Sequence, residues 1–174
     1  KANRELRQLD EKIGLHHKGQ IGLGAYLKYL TNDRSVSPGK SVSQFLTALS
    51  LEETMNYDRV ENERKELTKT LTEKLPRQEL KNLVNASLSY RLGNLTHGAF
   101  YRYLKDLCKA YEISLNLWPE MDKYIRYVLI SEKIKPEELF EEVGKLERKA
   151  LEARTKTKEE KALMELSQDM MLAG

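Results

Sequence analysis

Histidine is the residue type in this chain best suited to bind a metal or to transfer a proton near neutral pH, and the chain has three. His16 and His17 are adjacent, so on a helix their side chains point about 100° apart and share one ion poorly. His97 stands alone, and the sequence contains neither an E-x-x-H nor an H-x-x-x-H spacing. These patterns predict no metal site, and they favour a surface role for all three histidines.

Two glycine-containing stretches invite a phosphate-binding interpretation. SPGKS, residues 37–41, resembles the end of a phosphate-binding loop, but the first glycine is missing at the required spacing and no hydrophobic strand precedes it. GLG, residues 22–24, also lacks a preceding strand. Acidic pairs such as Glu137 and Glu138 fall on charged helical patterns, which is typical of solvated ion pairs. The single cysteine, Cys108, falls on the apolar side of a helical pattern. We therefore predict no catalytic residue and no cofactor.

Tyrosine and arginine are the more suggestive combination, because both are enriched at binding hot spots and at stacking platforms for single-stranded nucleic acid. Six of the nine tyrosines lie between residues 90 and 127, with arginines interleaved. The competing interpretation is that these tyrosines line the core and keep their hydroxyls at its edge. The candidate partner-binding face consists of Tyr90, Arg91, Tyr101, Arg102, Tyr124 and Arg126.

The composition predicts that helices position these side chains. The chain has 174 residues, of which 40% are hydrophobic and 33% are charged, and Leu, Lys, Glu and Arg dominate. These four are good helix formers, whereas Val and Thr form no alternating runs that would predict strands. The net charge of +3 comes from 30 basic and 27 acidic side chains that are interspersed. This charge is compatible with nucleic-acid binding but does not argue for it.

Apolar periodicity predicts an all-α fold of roughly nine helices, with narrow apolar stripes that suit long helical hairpins. The first helix carries Leu6, Leu9 and Ile13 on one face. Ser41 or Ser43 is expected to cap the third helix, Thr96 a later one, and proline is expected in the first turn at positions 76, 119 and 136. The helix after Pro76 has a stripe made of Leu80, Leu83, Val84, Ser87, Leu88 and Leu92.

No segment approaches the roughly 18 apolar residues of a membrane span. The first residues, KANRELRQLDEKIG, contain no apolar signal-peptide core and no initiator Met. We therefore expect a cytoplasmic protein that does not enter the membrane, and a chain that is a piece of something longer.

Two stretches, GQIGLGAYLKYL at residues 19–30 and GNLTHGAFYRYL at residues 93–104, point to a tandem duplication. At an offset of 74, residues 5–30 align with residues 79–104 without a gap, and 8 of the 26 positions are identical. The register continues after a variable loop at an offset of 79, and at an offset of 80 the last helix resembles the start of a third copy. Regular offsets of this size are typical of helical repeats that dock on their neighbours.

The duplication predicts repeats over residues 1–75 and 76–157 and a truncated third copy over 158–174, packed as one domain. Gly19 and Gly93 are expected to end a helix with positive φ. Gly24 and Gly98 are expected where two helices approach closely. Function specific to one copy is expected where the copies differ, which is the loop of residues 31–44 against 105–123, and the tyrosines of the second copy.

The second half of the chain, from LSYRLGNLTHGAFYRYL at residues 88–104 to KTKEEKAL at residues 156–163, resembles helical segments of large uncharacterised bacterial proteins. The resemblance implies one region of a longer polypeptide and implies no activity, cofactor or partner. The interpretation is a non-catalytic helical scaffold that binds a protein partner or the rest of its parent chain, and homo-oligomers are compatible with it. One alternative is binding of single-stranded nucleic acid through the Tyr/Arg face. The other is an accessory domain of an enzyme whose catalytic domain lies elsewhere.

Overall fold

The protein is described here by a computed structural model, which covers residues 4–32 and 36–172, with side chains described up to residue 166. Every regular element in these ranges is helical, which confirms the all-α prediction. A 3₁₀ turn, Leu115–Leu117, precedes the seventh helix. The nine α-helices of these ranges are α1 Arg4–His17, α2 Leu23–Thr31, α3 Lys40–Glu53, α4 Tyr57–Lys74, α5 Arg77–Arg91, α6 His97–Ala110, α7 Pro119–Ser131, α8 Pro136–Arg154 and α9 Lys158–Leu172.

Several helices begin where their local sequence dictates. The Thr96 side chain accepts a hydrogen bond from the backbone N–H of Ala99 at 3.1 Å, as predicted. Asn56 caps α4 in the same way, at 3.0 Å from the N–H of Arg59. Pro119 and Pro136 occupy the first turns of α7 and α8, where a missing N–H costs no helical hydrogen bond.

The predicted serine cap of α3 is wrong. The helix begins at Lys40, so Ser41 and Ser43 lie inside it. The cap is instead the carboxylate of Glu142 in α8, which accepts from the N–H groups of Ser41 at 3.0 Å and Val42 at 2.9 Å. A carboxylate satisfies two free N–H donors of a helix start and is favoured by the helix dipole. A residue far along the chain therefore takes the place of a local serine.

Helix α7 is capped in the same manner by Glu63 of α4. The Glu63 carboxylate accepts from the N–H groups of Glu120 at 2.7 Å and Met121 at 2.8 Å. Helix α7 makes the reciprocal contact: the side chain of Glu120 accepts a hydrogen bond from the backbone N–H of Asn56, at the start of α4, at 2.9 Å. Each of these two helices thus supplies a carboxylate to the start of the other.

The chain divides into two compact units. Unit 1 consists of residues Lys1–Leu46 and Lys135–Gly174, and unit 2 of residues Thr47–Ile134. In unit 1, α1 and α2 pack against α8. The side chains there with no exposed surface include Leu9, Tyr26, Leu27, Leu30 and Val42.

In unit 2, α7 packs against both α4 and α6. Its core draws on all three helices and on Trp118, and its most deeply buried members are Val60, Leu67, Leu71, Cys108, Met121 and Ile125. Cys108 is therefore the small buried apolar residue that its position in the helical pattern indicates.

The two units do not follow the predicted repeats, because each combines helices from both halves of the sequence. The spacing of the elements is nevertheless regular. Helices α3 and α7 begin at Lys40 and Pro119, and α4 and α8 begin at Tyr57 and Pro136, so both pairs show the offset of 79 seen in the sequence. The capping residues Glu63 and Glu142 correspond at the same offset, and so do the N–H groups that they accept. A duplication would produce this regularity, and the duplication itself stays a prediction.

Candidate functional site

The predicted Tyr/Arg face lies in unit 2, and its three tyrosines meet in one aromatic cluster. The rings of Tyr90 and Tyr101 lie 6.5 Å apart, and those of Tyr101 and Tyr124 lie 5.3 Å apart, both edge to face. Phe100 and His97 both stack on the ring of Tyr90, with ring centres 5.0 Å and 5.5 Å from it respectively. Such arrangements stabilise aromatic pairs beyond the area that they bury.

Hydrogen bonding and charge reinforce this cluster. The hydroxyl of Tyr124 lies 3.1 Å from Nε2 of His97, and the guanidinium of Arg64 stands 5.5 Å from the centre of the Tyr124 ring. Burial raises the pKa of Tyr101 and of Tyr124, although the nearby Arg64 acts in the opposite direction. Both phenols therefore stay protonated at neutral pH and act as structural groups.

The rings of this cluster pack against one another, which limits the aromatic surface left open to solvent. Tyr101 is only 5% exposed and belongs to the core of unit 2, while Tyr90 and Tyr124 are half-buried. Sequence reasoning missed Phe100 and Arg64 as members. The spacing of His97, Phe100 and Tyr101 on α6 is a signal that could have found Phe100, whereas nothing in the local sequence indicates Arg64.

The three arginines of the predicted face do not act together. Arg102 donates to Oε2 of Glu132 at 3.1 Å, and Thr96 donates to the other oxygen of that carboxylate at 2.9 Å. This pairing links the start of α6 to the end of α7. Arg91 and Arg126 are exposed, on α5 and α7 respectively.

The four glycines predicted to be structural joints differ in their surroundings. Gly19 has a φ of +69° and Gly93 a φ of +77°, and in both the N–H donates to the carbonyl three residues earlier, at 2.9 Å and 3.1 Å. Positive φ at a helix end favours glycine. Gly98 is buried, and the Glu132 carboxylate fills the space that a Cβ would need. Gly24 is half-buried.

A second polar cluster, in unit 1, joins three residues that catalytic sites often use. The buried Tyr26 donates its hydroxyl hydrogen to Oε1 of Glu147 at 2.6 Å, and Nε2 of His17 lies 3.3 Å from the same oxygen. His16 stacks on the Tyr26 ring at 4.3 Å. Burial, and then Glu147, raise the pKa of Tyr26. The phenol is therefore a fixed donor that ties α2 to α8, and it is poorly suited to give up its proton.

A depression of about 510 Å³ opens beside the end of α6 and is lined by side chains of both charges, among them Lys105, Lys109, Glu112 and Asp122. Cys108 borders it, and burial raises the pKa of its thiol to about 11. Because the thiolate is the nucleophile, this cysteine is unreactive near neutral pH. Throughout the described residues, no three histidine, cysteine or acidic side chains lie where they could hold a metal ion.

Helix α5 is the least covered α-helix of unit 2. Its 15 residues are all described, and none of them is buried. Leu80 and Leu83 of the predicted stripe are half-buried, but Val84 is 64%, Leu88 is 54% and Leu92 is 66% exposed. Leu92 is the C-cap residue directly after the helix and keeps a right-handed helical backbone conformation. Spaced four residues apart, these three side chains lie on one side of α5 and form an apolar ridge.

No family model, no curated protein and no solved structure matches this chain. The resemblance to large bacterial proteins therefore stays a prediction. Within the ranges that the structure describes, no helix combines the length and apolar character of a membrane span.

Proposed function

We propose that this chain is a non-catalytic helical module that binds another protein through unit 2. The observation that supports this most directly is the apolar ridge of α5, made of Val84, Leu88 and Leu92. Complete burial of one Val or Leu side chain stabilises by about 1.5 to 3 kcal/mol. The isolated chain therefore leaves several kcal/mol of burial free energy unused on this helix, and a bound partner would recover it.

The titratable clusters support a module without catalysis. The Tyr26–Glu147 pair holds a phenol in its protonated state, and the Cys108 thiol is buried. The Glu63 and Glu142 carboxylates are occupied by helix N–H groups. Each of these groups is therefore either buried in a core or held by a hydrogen-bonding partner.

Nucleic-acid binding through the predicted Tyr/Arg face has weaker support. Base stacking requires aromatic faces that are open to solvent. Here Tyr90 is stacked by two neighbours, and Tyr101 is buried. Arg102 is engaged by Glu132, which leaves it less available for a phosphate.

We also infer that the module arose from a duplicated helical unit. The constant offset of 79 between helix starts and between capping carboxylates supports this. The stacked ring pairs support it too, because His16 on Tyr26 corresponds to Tyr90 on Phe100 at the sequence offset of 74.

Site-directed photo-crosslinking in the natural host tests the proposed function. A photoreactive phenylalanine analogue replaces Leu88, Leu117, Phe140 or Leu163, one at a time, because all four are exposed apolar positions. We expect a covalent protein adduct at position 88 and no adduct at position 117, which is the control. An absence of protein adducts at all four positions would contradict a role as a binding module.

A further inference from the structure

The exposed side of α5 carries charge of one sign around its apolar ridge. Arg77, Lys81 and Arg91 are exposed and lie on the same side of the helix as Leu88, at spacings of 11, 7 and 3 residues. None of the three forms an ion pair with another residue in the described part of the chain.

The only acidic residue of α5 lies away from this side. Burial, followed by the nearby carboxylate of Glu79, raises the pKa of Tyr103 in α6. The cationic side of α5 therefore has no anion on its own helix. We define the α5 face as Arg77, Lys81, Val84, Leu88, Arg91 and Leu92.

We infer that the α5 face binds an acidic amphipathic helix of a partner protein, an inference that rests on the proposed function. An apolar ridge of residues four apart fits the groove of a second helix. From Val84 to Leu92 the ridge spans about 12 Å, or just over two helical turns. Leucine-type side chains on the partner would cover it, and flanking Glu and Asp would pair with the three cations at the rim.

Other occupants fit the α5 face less well. A nucleic acid would place phosphates against the cations, but its bases would meet Val and Leu side chains rather than aromatic platforms. A membrane surface would gain little from three aliphatic side chains with no Trp or Phe on the same helix. A symmetric contact between two copies of α5 would bring like charges together, which is destabilising.

Binding of a designed peptide to the intact chain tests the inference. The probe is an 18-residue helix with Leu on one stripe and Glu on both flanks, labelled for fluorescence anisotropy. The matched control peptide has Lys in place of every Glu. We expect the acidic peptide to bind and the basic peptide not to bind. Added salt should weaken the interaction, because the ion pairs lie at an exposed rim.

Three variants test whether the acidic peptide binds at the α5 face. Leu88→Ser removes the central apolar side chain and should weaken binding about tenfold. The double variant Lys81→Glu with Arg91→Glu should reverse the preference, so that the basic peptide binds and the acidic one does not. Leu117→Ser is the matched control, since Leu117 is 71% exposed in the same unit but lies outside α5, and its affinity should equal that of the unchanged chain.

Four results would overturn the inference. The first is equal binding of the acidic and basic peptides, or binding of neither. The second is Leu88-dependent binding of single-stranded RNA, and the third is Leu88-dependent binding of anionic phosphatidylserine vesicles. The fourth is a dimer in light scattering that Leu88→Ser dissociates. A protein adduct at position 117, in unit 2 but outside α5, with none at position 88 would leave the proposed binding through unit 2 standing while this inference fails, which separates the two failures.

Discussion

Helix α1 of unit 1 and helix α5 of unit 2 align at an offset of 74, but they differ in how far their inner faces are covered. In α1 the inner residues Leu6, Leu9 and Ile13 are all buried. Their counterparts in α5, namely Leu80, Leu83 and Ser87, are only half-buried. Helix α1 packs against both α2 and α8, whereas α5 has its main contact with α6 alone.

The outer faces of these two helices differ in polarity, since that of α5 carries an apolar ridge and that of α1 does not. The ridge of α5, Val84, Leu88 and Leu92, corresponds by the same offset to Asp10, Gly14 and Lys18. A helix in this position therefore folds with polar or small residues on its outer side. The comparison predicts that the fold does not require the apolar ridge of α5, which agrees with the proposed role in binding.

The largest predicted difference between the two helices concerns their inner leucines. Leu9→Ala should lower the free energy of unfolding by about 3 kcal/mol, because the side chain is fully buried and its loss leaves a cavity. Leu83→Ala should cost only about 1 kcal/mol, because half-covered groups lose less burial. Urea denaturation followed by circular dichroism measures both. Equal losses would mean that α5 is as well covered as α1.

The capping carboxylates give the next largest effect. Glu63→Ala should cost about 3 kcal/mol and Glu142→Ala about 2 kcal/mol, because each leaves two buried N–H groups without an acceptor. Glu63 is the more buried of the two. The control is Glu141→Ala, which removes an exposed partner of Lys145 and should leave the free energy of unfolding almost unchanged. If Glu142→Ala behaved like this control, the distant carboxylate would not be needed to start α3.

The two glycine joints should respond alike. Gly19→Ala and Gly93→Ala should each cost about 1 to 2 kcal/mol, because both have positive φ, which disfavours a Cβ even in open space. Gly144→Ala, in the middle of α8 with open space around it, should instead stabilise by about 0.5 to 1 kcal/mol. Thermal unfolding of the three variants gives the comparison, and a loss at only one joint would argue against equivalent joints.

The smallest effect is the pH dependence of the contact between the Glu120 carboxylate and the N–H of Asn56, which has no counterpart at Ser41 in unit 1. The N–H of Asn56, followed by the ammonium of Lys123, lowers the pKa of Glu120, whereas the corresponding residue of α3 is Ser41. A lowered pKa in the folded state stabilises above the unfolded pKa, and this stabilisation disappears as the pH falls through the folded value. Glu120→Gln should thus lose up to about 1 kcal/mol at pH 7 and less at pH 3.

Denaturation of both proteins at the two pH values measures this difference. A cost of Glu120→Gln that is the same at pH 7 and pH 3 would show that the charge on Glu120 does not strengthen its contact with Asn56.

The sequence was sufficient for features that depend on neighbours along the chain. The helical period of Leu6, Leu9 and Ile13, the cap at Thr96 and the proline at the start of α8 all follow from local geometry, and the structure has them. The end of a helix at Gly19 or Gly93 is of the same kind, since positive φ is a property of one residue.

Features that depend on distant contacts could not be predicted in this way. The serine cap of α3 was a reasonable local choice, but Glu142 lies in a helix of the other half of the sequence and no pattern links the two. The stripe of α5 has a helical period whether or not another helix covers it, so its exposure is a tertiary property. For the same reason the sequence indicates the tyrosines of the second half as a group but does not indicate how their rings pack on one another.

Unit 1 is made of two segments that are far apart along the chain, and this has a consequence for its synthesis. Its first part, residues 1–46, leaves the ribosome long before α8, because the whole of unit 2 lies between them. At roughly 5 to 20 residues per second, the 123 residues from the end of α2 to the end of α8 take about 6 to 25 s, and α1 and α2 wait that long for the helix that covers them. During this interval Leu9, Tyr26 and Leu27 lack their final packing, and unit 2 can complete its own core first. The N-terminal helices are therefore expected to be the last to fold and the first to need protection from aggregation.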